Sequence, residues 1–330
     1  MRHRERVTIL DVAALAGVHA ATVSRALSRP EKVAAATRQR VEDAVEELGF
    51  VPNRAARGLI TGRTENVAVI VPDITNPHFA SMVRSVQRTA REAELHVVLV
   101  DTGEHPDEEV RAVRTLSREV DGFIVLAPRR LHLELDALGS KPAVFVNRPV
   151  RGRASVLLRT APAVGEMLAH LGSLGHRSLT YLSGPSGSWA AGERLRAVRQ
   201  SSNDAGLDLV EIAVNGPTFD DAGAVVAEIA RRRASAVMAF NDQMALGVIA
   251  GLRHRGLSVP GDVSVVGIDD VPMAAMVAPP LTTISLPTLE AGAAAIRKLG
   301  EDVTRTELFG TLVIRGSTGP SAGGSATVRE

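Results

Sequence analysis

From Asn66 onward the chain repeats one texture: short, nearly uninterrupted apolar runs, each followed by a segment of helical character. The runs are NVAVIVPD, HVVLVDT, DGFIVLAP, PAVFVNRP, RSLTYLSGP, AVMAFND and DVSVVGIDD. A run without polar alternation has no solvent-facing side, so it suits a parallel strand covered on both faces by helices. Seven or more such strands over about 250 residues fit two doubly wound lobes better than one sheet. Several runs stop on a polar or turn-forming residue: Asp73, Asn147, Gly184, Asn241 and Asp269. Open α/β sheets bind ligands beyond the carboxyl ends of their strands. Any one strand needs a polar stop on its own account, but five such stops together predict a shared cleft.

The first sixty residues are different in kind and read as three short helices. Thr8 followed by Asp11 forms a variant capping box, and Val12, Leu15 and Ala16 give helical spacing up to Gly17. A second helix is expected over Ala20–Leu27, ending before Pro30. A third is expected over Thr37–Leu48, with Gly49 as its stop. A three-residue turn containing glycine between the first two helices is the spacing of a helix-turn-helix. The net charge of +1 is divided unevenly. Residues 1–63 hold eleven Lys or Arg against seven Asp or Glu, a net +4, and the remainder carries −3. A basic head on a mildly acidic body suits a polyanion at one end.

Several function classes are excluded or disfavoured. The chain has no cysteine, which removes disulfides, thiolate chemistry and Cys-ligated metals and suits a reducing cytosol. No run has signal-peptide character or the roughly 18 apolar residues of a membrane span, so a soluble, cytoplasmic protein without a membrane partner is expected. Enzyme motifs are missing too. In GPSGS, Ser188 occupies the last glycine position of G-x-S-x-G, and the nine histidines show no H-E-x-x-H spacing. Asp269 and Asp270 are adjacent, and strand neighbours point to opposite faces. Neither a catalytic site, a metal nor a cofactor is expected.

The stretch VTILDVAALAGVHAATVSRALSRPEKVAAATRQRVEDAVEELGFVPNRAARGL resembles the head and hinge of LacI/GalR (lactose-repressor) transcription regulators. The body adds VPDITNPHF, LGHRSLTYLSGP, FNDQMALG, VPGDVSVVGIDD and PPLTTI, so the resemblance spans nearly the whole chain. It implies an α/β protein in which an all-α helix-turn-helix head precedes a two-lobed, periplasmic-binding-protein-like, doubly wound core. The head would occupy residues 1–51 and a hinge helix with linker 52–63. The core would run from 64 to 318. Its N-lobe would be 64–157 plus 288–311 and its C-lobe 158–287 plus 312–318; the tail 319–330, outside the resemblance, is Gly/Ser-rich and poor in apolar residues and is expected to be disordered.

The resemblance also implies a regulator, expected to be a repressor, that binds a pseudo-palindromic operator as a homodimer and is controlled by a small effector, expected to be a sugar. Thr8, His19, Ala20, Ala21, Thr22, Ser24 and Arg25 would contact DNA from the head, with Ala20 and Ala21 facing base edges. Asn53 and Arg54 would hold phosphates, while Ala56 and Leu59 would enter the minor groove from a hinge that orders on DNA. Asn76, Phe79, Asn147, Arg148, Ser188, Trp189, Arg194, Phe219, Asn241 and Asp269 would contact the effector. Arg, Asn and Asp offer paired hydrogen bonds to vicinal hydroxyls, and the single Trp offers a flat apolar face to a sugar ring.

Some positions depart from the family pattern. Arg159 and Thr160 stand where Asp-Asn is usual, and Leu286 stands where many members have Gln. His19 and Ala34 replace serines. A non-sugar effector therefore stays open, as does, in another class, a two-lobed sugar-binding protein without DNA function.

Overall fold

The computed structural model describes residues 7–50, 63–214, 216–232, 234–301 and 303–321. The chain divides into two compact units, residues 1–64 and 65–330.

The first unit is three helices: α1 (Ile9–Ala16), α2 (Ala20–Ser28) and α3 (Ala35–Leu48). Gly17 and Gly49 end α1 and α3 in the left-handed conformation (φ 63° and 60°), as their place after the last apolar residue predicts. The axes of α1 and α2 differ by 100°, within the range of a helix-turn-helix. Val12, Val23 and Val41, one from each helix, are fully buried and form the centre of a small core. Two boundaries move outward: α2 runs to Ser28, and α3 starts at Ala35 rather than Thr37. Its N-cap, Ala34, has no side chain to accept an amide.

The second unit opens with β1 (Asn66–Val71), α4 (Pro77–Glu92), β2 (His96–Asp101), α5 (Pro106–Leu116), β3 (Gly122–Leu126), β4 (Ala143–Val146) and β5 (Ala154–Arg159). It continues through α6 (Ala161–Ser173), β6 (Ser178–Leu182), α7 (Trp189–Asp204), β7 (Asp208–Ile212), α8 (Phe219–Ala224), α9 (Val226–Arg231), β8 (Ala236–Ala239), α10 (Asp242–His254) and β9 (Ser264–Val266). Then follow α11 (Pro272–Met276), β10 (Thr283–Ser285), α12 (Thr288–Arg297), β11 (Arg305–Phe309) and β12 (Thr311–Val313). One sheet has the order β11-β5-β4-β3-β1-β2 and another β7-β6-β8-β9, with every pairing parallel. The seven apolar runs are β1, β2, β3, β4, β6, β8 and β9. A short antiparallel pair, β10 with β12, lies where the chain passes between the two sheets.

Two expected boundaries shift. β5 stays in the first sheet through Arg159, paired to Phe309, so the first lobe extends two residues beyond 157. The segment expected to be disordered from 319 begins as ordered chain. The Gly319 amide donates to Ser264 Oγ (3.1 Å), its carbonyl lies 3.1 Å from the His176 ring, and the Ser321 amide donates to the Leu174 carbonyl (2.9 Å).

In the first lobe α12 packs directly on α4. A Cβ on Gly292 would lie 2.5 Å from the Met82 carbonyl oxygen and 2.9 Å from Ser85 Cβ. The Ser85 hydroxyl donates to the Leu289 carbonyl across the same contact. Gly292→Ala should therefore force the helices apart and destabilise the protein by about 1–3 kcal/mol, measured as a lower urea midpoint.

Candidate DNA-reading helix and ligand cleft

On the head, the exposed side of α2 carries Ala21, Arg25 and Ser28, which share a face by their spacing. Thr22 and Ser24 are half-buried, and His19 is exposed at the N-cap without a capping hydrogen bond. Ala20 departs from its expected place: it is half-buried and packs on the head core, so of the two alanines only Ala21 is fully presented. The cause is helical phase, since Ala20 lies three residues before Val23, on the buried side. The Thr8 amide and hydroxyl both donate to the Asp11 carboxylate at 2.7 Å, which holds that acid below its usual range. Asn53, Arg54, Ala56 and Leu59 lie outside the described residues.

In the second unit, the carboxyl ends of the two parallel sheets meet around one cavity of about 520 Å³, including its open mouth. From the first sheet come Pro72, Asn76, His78 and Phe79 after β1, Glu104 after β2, Ala127 and Arg129 after β3, and Asn147 after β4. The second contributes Pro185, Ser188, Ala190 and Arg194 after β6, Pro217 after β7, Phe240 and Asn241 after β8, and Asp269 after β9. Seven of the ten expected effector residues thus converge: Asn76, Phe79, Asn147, Ser188, Arg194, Asn241 and Asp269. Of the five polar stops, Asn147, Asn241 and Asp269 reach the cavity. Asp73 instead accepts from the Thr75 amide and hydroxyl (2.8 and 2.6 Å) and shapes the turn.

The other three sit elsewhere. Trp189, the first residue of α7, faces the Arg159 guanidinium 5.4 Å away, while its neighbours Ser188 and Ala190 line the cavity. Phe219 is turned outward by the capping box of Thr218 and Asp221 and lies in a separate surface groove with Leu246, Met273 and Met276. Pro217 takes its place on the wall, and Phe240, overlooked in the sequence beside Asn241, supplies the ring. Arg148 bridges the lobes instead, its guanidinium donating to the Gly187 carbonyl (2.9 Å).

Arg194 is the most constrained group on the wall. It is 4% exposed, stacks 4.5 Å over the Phe240 ring, and donates to the Phe240 carbonyl (2.5 Å) and to Asp269 Oδ1 (3.1 Å). Asp269 adopts φ 122°, a conformation that a non-glycine residue holds only when its surroundings impose it. Asn241 is occupied by structural bonds: its Oδ1 accepts from the Met244 amide and its Nδ2 donates to the Pro217 carbonyl. Asn76 and Asn147 use their Oδ1 atoms on the amides of His78 and Leu158, which leaves their Nδ2 donors for a ligand.

Two buried titratable groups went unpredicted. His78 Nδ1 lies 3.4 Å from Asp269 Oδ1 without hydrogen-bond geometry. Burial depresses its pKa; the Asp269 carboxylate opposes that and Arg194 reinforces it. Asp242, fully buried, accepts from the Val271 amide (2.9 Å) and the Thr283 hydroxyl (2.5 Å). Burial, assisted by the neighbouring Asp269 carboxylate, pushes its pKa up to about 7 against those two hydrogen bonds. The motifs NPHF and FNDQ contained both residues, but neither carried a signal of burial.

The architecture has known counterparts. Residues 8–53 match the description "Bacterial regulatory proteins, lacI family" and residues 168–318 match "Periplasmic binding protein-like domain". The transcriptional regulator DegA of Bacillus subtilis is 30% identical over 96% of this chain and 99% of its own. A lac repressor dimer solved with operator and the anti-inducer ONPF superposes with a TM-score of 0.86 at 26% identity, covering 96% of this chain and 100% of that one. A complex of the regulator CelR with cellobiose gives a TM-score of 0.70 at 32% identity, over 94% and 100%.

The chain belongs to the LacI family. It is a DNA-binding transcriptional regulator, and these relatives are regulators rather than enzymes. Among the described residues no single helix is long and apolar enough to cross a membrane. Three of its departures from the LacI-family pattern have structural roles. Arg159 pairs with Glu193 on α7 (2.6 Å) and Glu307 on β11 (2.7 Å). Thr160 is buried at the start of α6, and Leu286 is buried in the main core. Asp270 is turned away from the cavity to Arg315 (2.6 Å); both aspartates have positive φ, so irregular backbone rather than strand alternation separates them.

Because folded Asp242 holds its proton more tightly than the unfolded chain, the unfolded state binds fewer protons between pH 3.8 and about 7, and stability attributable to this group falls across that window. Relative to wild type, Asp242→Asn should gain stability as pH rises from 5 to 8. The gain should be about 1.4 kcal/mol per pH unit up to the folded-state value, read from paired urea titrations.

Proposed function

We propose that this protein is a cytoplasmic repressor that binds a pseudo-palindromic operator as a homodimer and whose hold on DNA is set by a carbohydrate bound between its lobes. It acts by binding and catalyses no reaction. The observation that carries the effector reading is the buried Arg194–Asp269 pair on the cavity wall, with aromatic rings at Phe79 and Phe240 and amide donors at Asn76 and Asn147. This combination matches hydroxyls on an apolar ring. The CelR–cellobiose complex supports the same ligand class, and the operator-bound lac repressor dimer supports the partner and the assembly. Self-association is further supported by the apolar groove of Phe219, Met273 and Met276, which are 46%, 38% and 79% exposed.

On the head, Arg25 is the main polar reader, with Ala21 packing on a thymine methyl and His19, Ala20, Thr22 and Ser24 flanking them. Thr8 meets the DNA backbone, as Asn53 and Arg54 do at the hinge, where Ala56 and Leu59 take the minor groove. On the cavity side, Ser188 and Asn241 complete the polar wall, Arg148 and Trp189 act on it from outside, and Phe219 belongs to the separate apolar groove.

The test is binding of the full-length chain to duplexes selected from random sequence, followed by a sugar screen for release. Arg25→Ala should weaken the selected duplex by about 1–3 kcal/mol and relax the preference at the base it reads. Unchanged affinity and preference would remove Arg25 from the interface. Arg194→Ala should leave duplex affinity intact while raising the sugar concentration needed for release by roughly tenfold or more. Release at the wild-type concentration would disprove the assignment of this wall to the effector.

A further inference from the structure

The wall opposite Arg194 and Asp269 carries a second arginine–carboxylate couple that the motifs leave unassigned. Arg129 Nη2 lies 2.7 Å from Glu104 Oε2 and also donates to the Glu104 carbonyl. Both residues line the cavity, and their side chains are only 13% and 28% exposed. The loop that carries Arg129 is anchored through its backbone. Glu109 on α5, 4% exposed, accepts from the amides of Arg129, Arg130 and Leu131 at 2.9 Å each, which fixes the loop bearing Arg129. Backbone strain points to the same place. Seven non-glycine residues have positive φ among the described residues, and four of them, Glu104, Ala127, Asn147 and Asp269, line this cavity. Strained backbone that the surroundings over-determine clusters at ligand clamps.

We propose that Glu104 and Arg129 form a second ligand-reading couple, which binds hydroxyls at the first-lobe end of the effector and selects an uncharged polyhydroxylated compound over its anionic counterparts. This rests on the carbohydrate reading above and narrows it. Each cationic side chain on the walls is already neutralised by a carboxylate, Arg194 by Asp269 and Arg129 by Glu104. Such couples supply strong donors and acceptors but no net charge. A phosphate or carboxylate on the ligand would have to displace Glu104 from Arg129, leaving two anions together in a poorly hydrated site. Asp73, Asp101 and Glu109 add to the negative field at Glu104. A neutral diol can accept from the guanidinium and donate to the carboxylate while the pair stays intact.

The test is calorimetry of the full-length chain against neutral mono- and disaccharides, the matching 6-phosphates and the matching uronic acids. Glu104→Gln and Arg129→Met are run alongside, with melting curves to confirm folding. The expected result is that a neutral sugar binds wild type at least about tenfold tighter than its anionic partners, and that each variant loses about tenfold for that sugar. Glu104→Gln should also narrow the gap to the anionic partners. Two results would overturn the proposal while leaving the carbohydrate reading standing: a neutral sugar bound equally by wild type and by folded variants, or a wild-type preference for a phosphate or uronic acid. Should no sugar of any charge bind, both the carbohydrate reading and this proposal fall.

Discussion

In a parallel sheet every strand leaves by the same edge, so the chain must cross a face before it can pair again. That requirement accounts for the helix after nearly every strand here and for the apolar composition of the strands they cover. It also gathers the irregular backbone at the carboxyl edge, where amide and carbonyl groups no longer satisfy one another in ladders. Two such edges face each other in this protein, and the loops and opening helical turns that follow them supply every residue on the cavity wall. The position of the cavity is thus a consequence of strand direction, and only its chemistry is left to individual side chains.

That chemistry is dominated by buried charge. A guanidinium as buried as that of Arg194 is costly to desolvate unless it is paired and hydrogen-bonded. The Phe240 carbonyl, the Phe240 ring and Asp269 meet that need together. Asp269 reaches it from a loop in which two successive residues hold positive φ, 122° and 55°. The loop keeps that shape because Asp242 accepts from the Val271 amide behind it and Arg315 draws Asp270 to the other side. Removing Asp242 or Arg315 would therefore disturb the wall without touching anything bound to it.

Much of the architecture was legible because unbroken apolar runs and helical spacing report packing, although β2, at the edge of its sheet, is only half-buried or exposed along its length. The seven runs became seven parallel strands, and the head helices fell within a residue or two of their expected bounds. The lapses lie where direction, rather than burial or residue type, decides. Trp189 and Phe219 occupy the first positions of two helices, where one or two residues of phase exchange the cavity for the outer surface; Ser188 and Pro217 line the cavity instead. Ala20 is half-buried for the same reason. Glu104 and Arg129 were invisible in another way: they belong to loops after different strands, and the bonds that hold them together, including the Glu109 anchor of the Arg129 loop twenty residues away in sequence, are all long-range. The hinge positions Asn53, Arg54, Ala56 and Leu59 lie outside the described residues and stand on resemblance alone.

Arg159 shows how a departure from the family pattern can be absorbed. At the end of β5 a base stands where the family pattern has an acid. Here Glu193 on α7 and Glu307 on β11 flank the guanidinium, and Trp189 stacks beside it. Each ion pair is partly exposed and would contribute little alone. Their effect comes from geometry: α7 also carries Arg194 and is capped by Ser188, so the helix that forms one wall of the cavity is tied through Arg159 to the edge strand of the opposite lobe. Trp189, which the resemblance places against the effector, stacks on Arg159 in that tie, between the first lobe and the helix of the second wall.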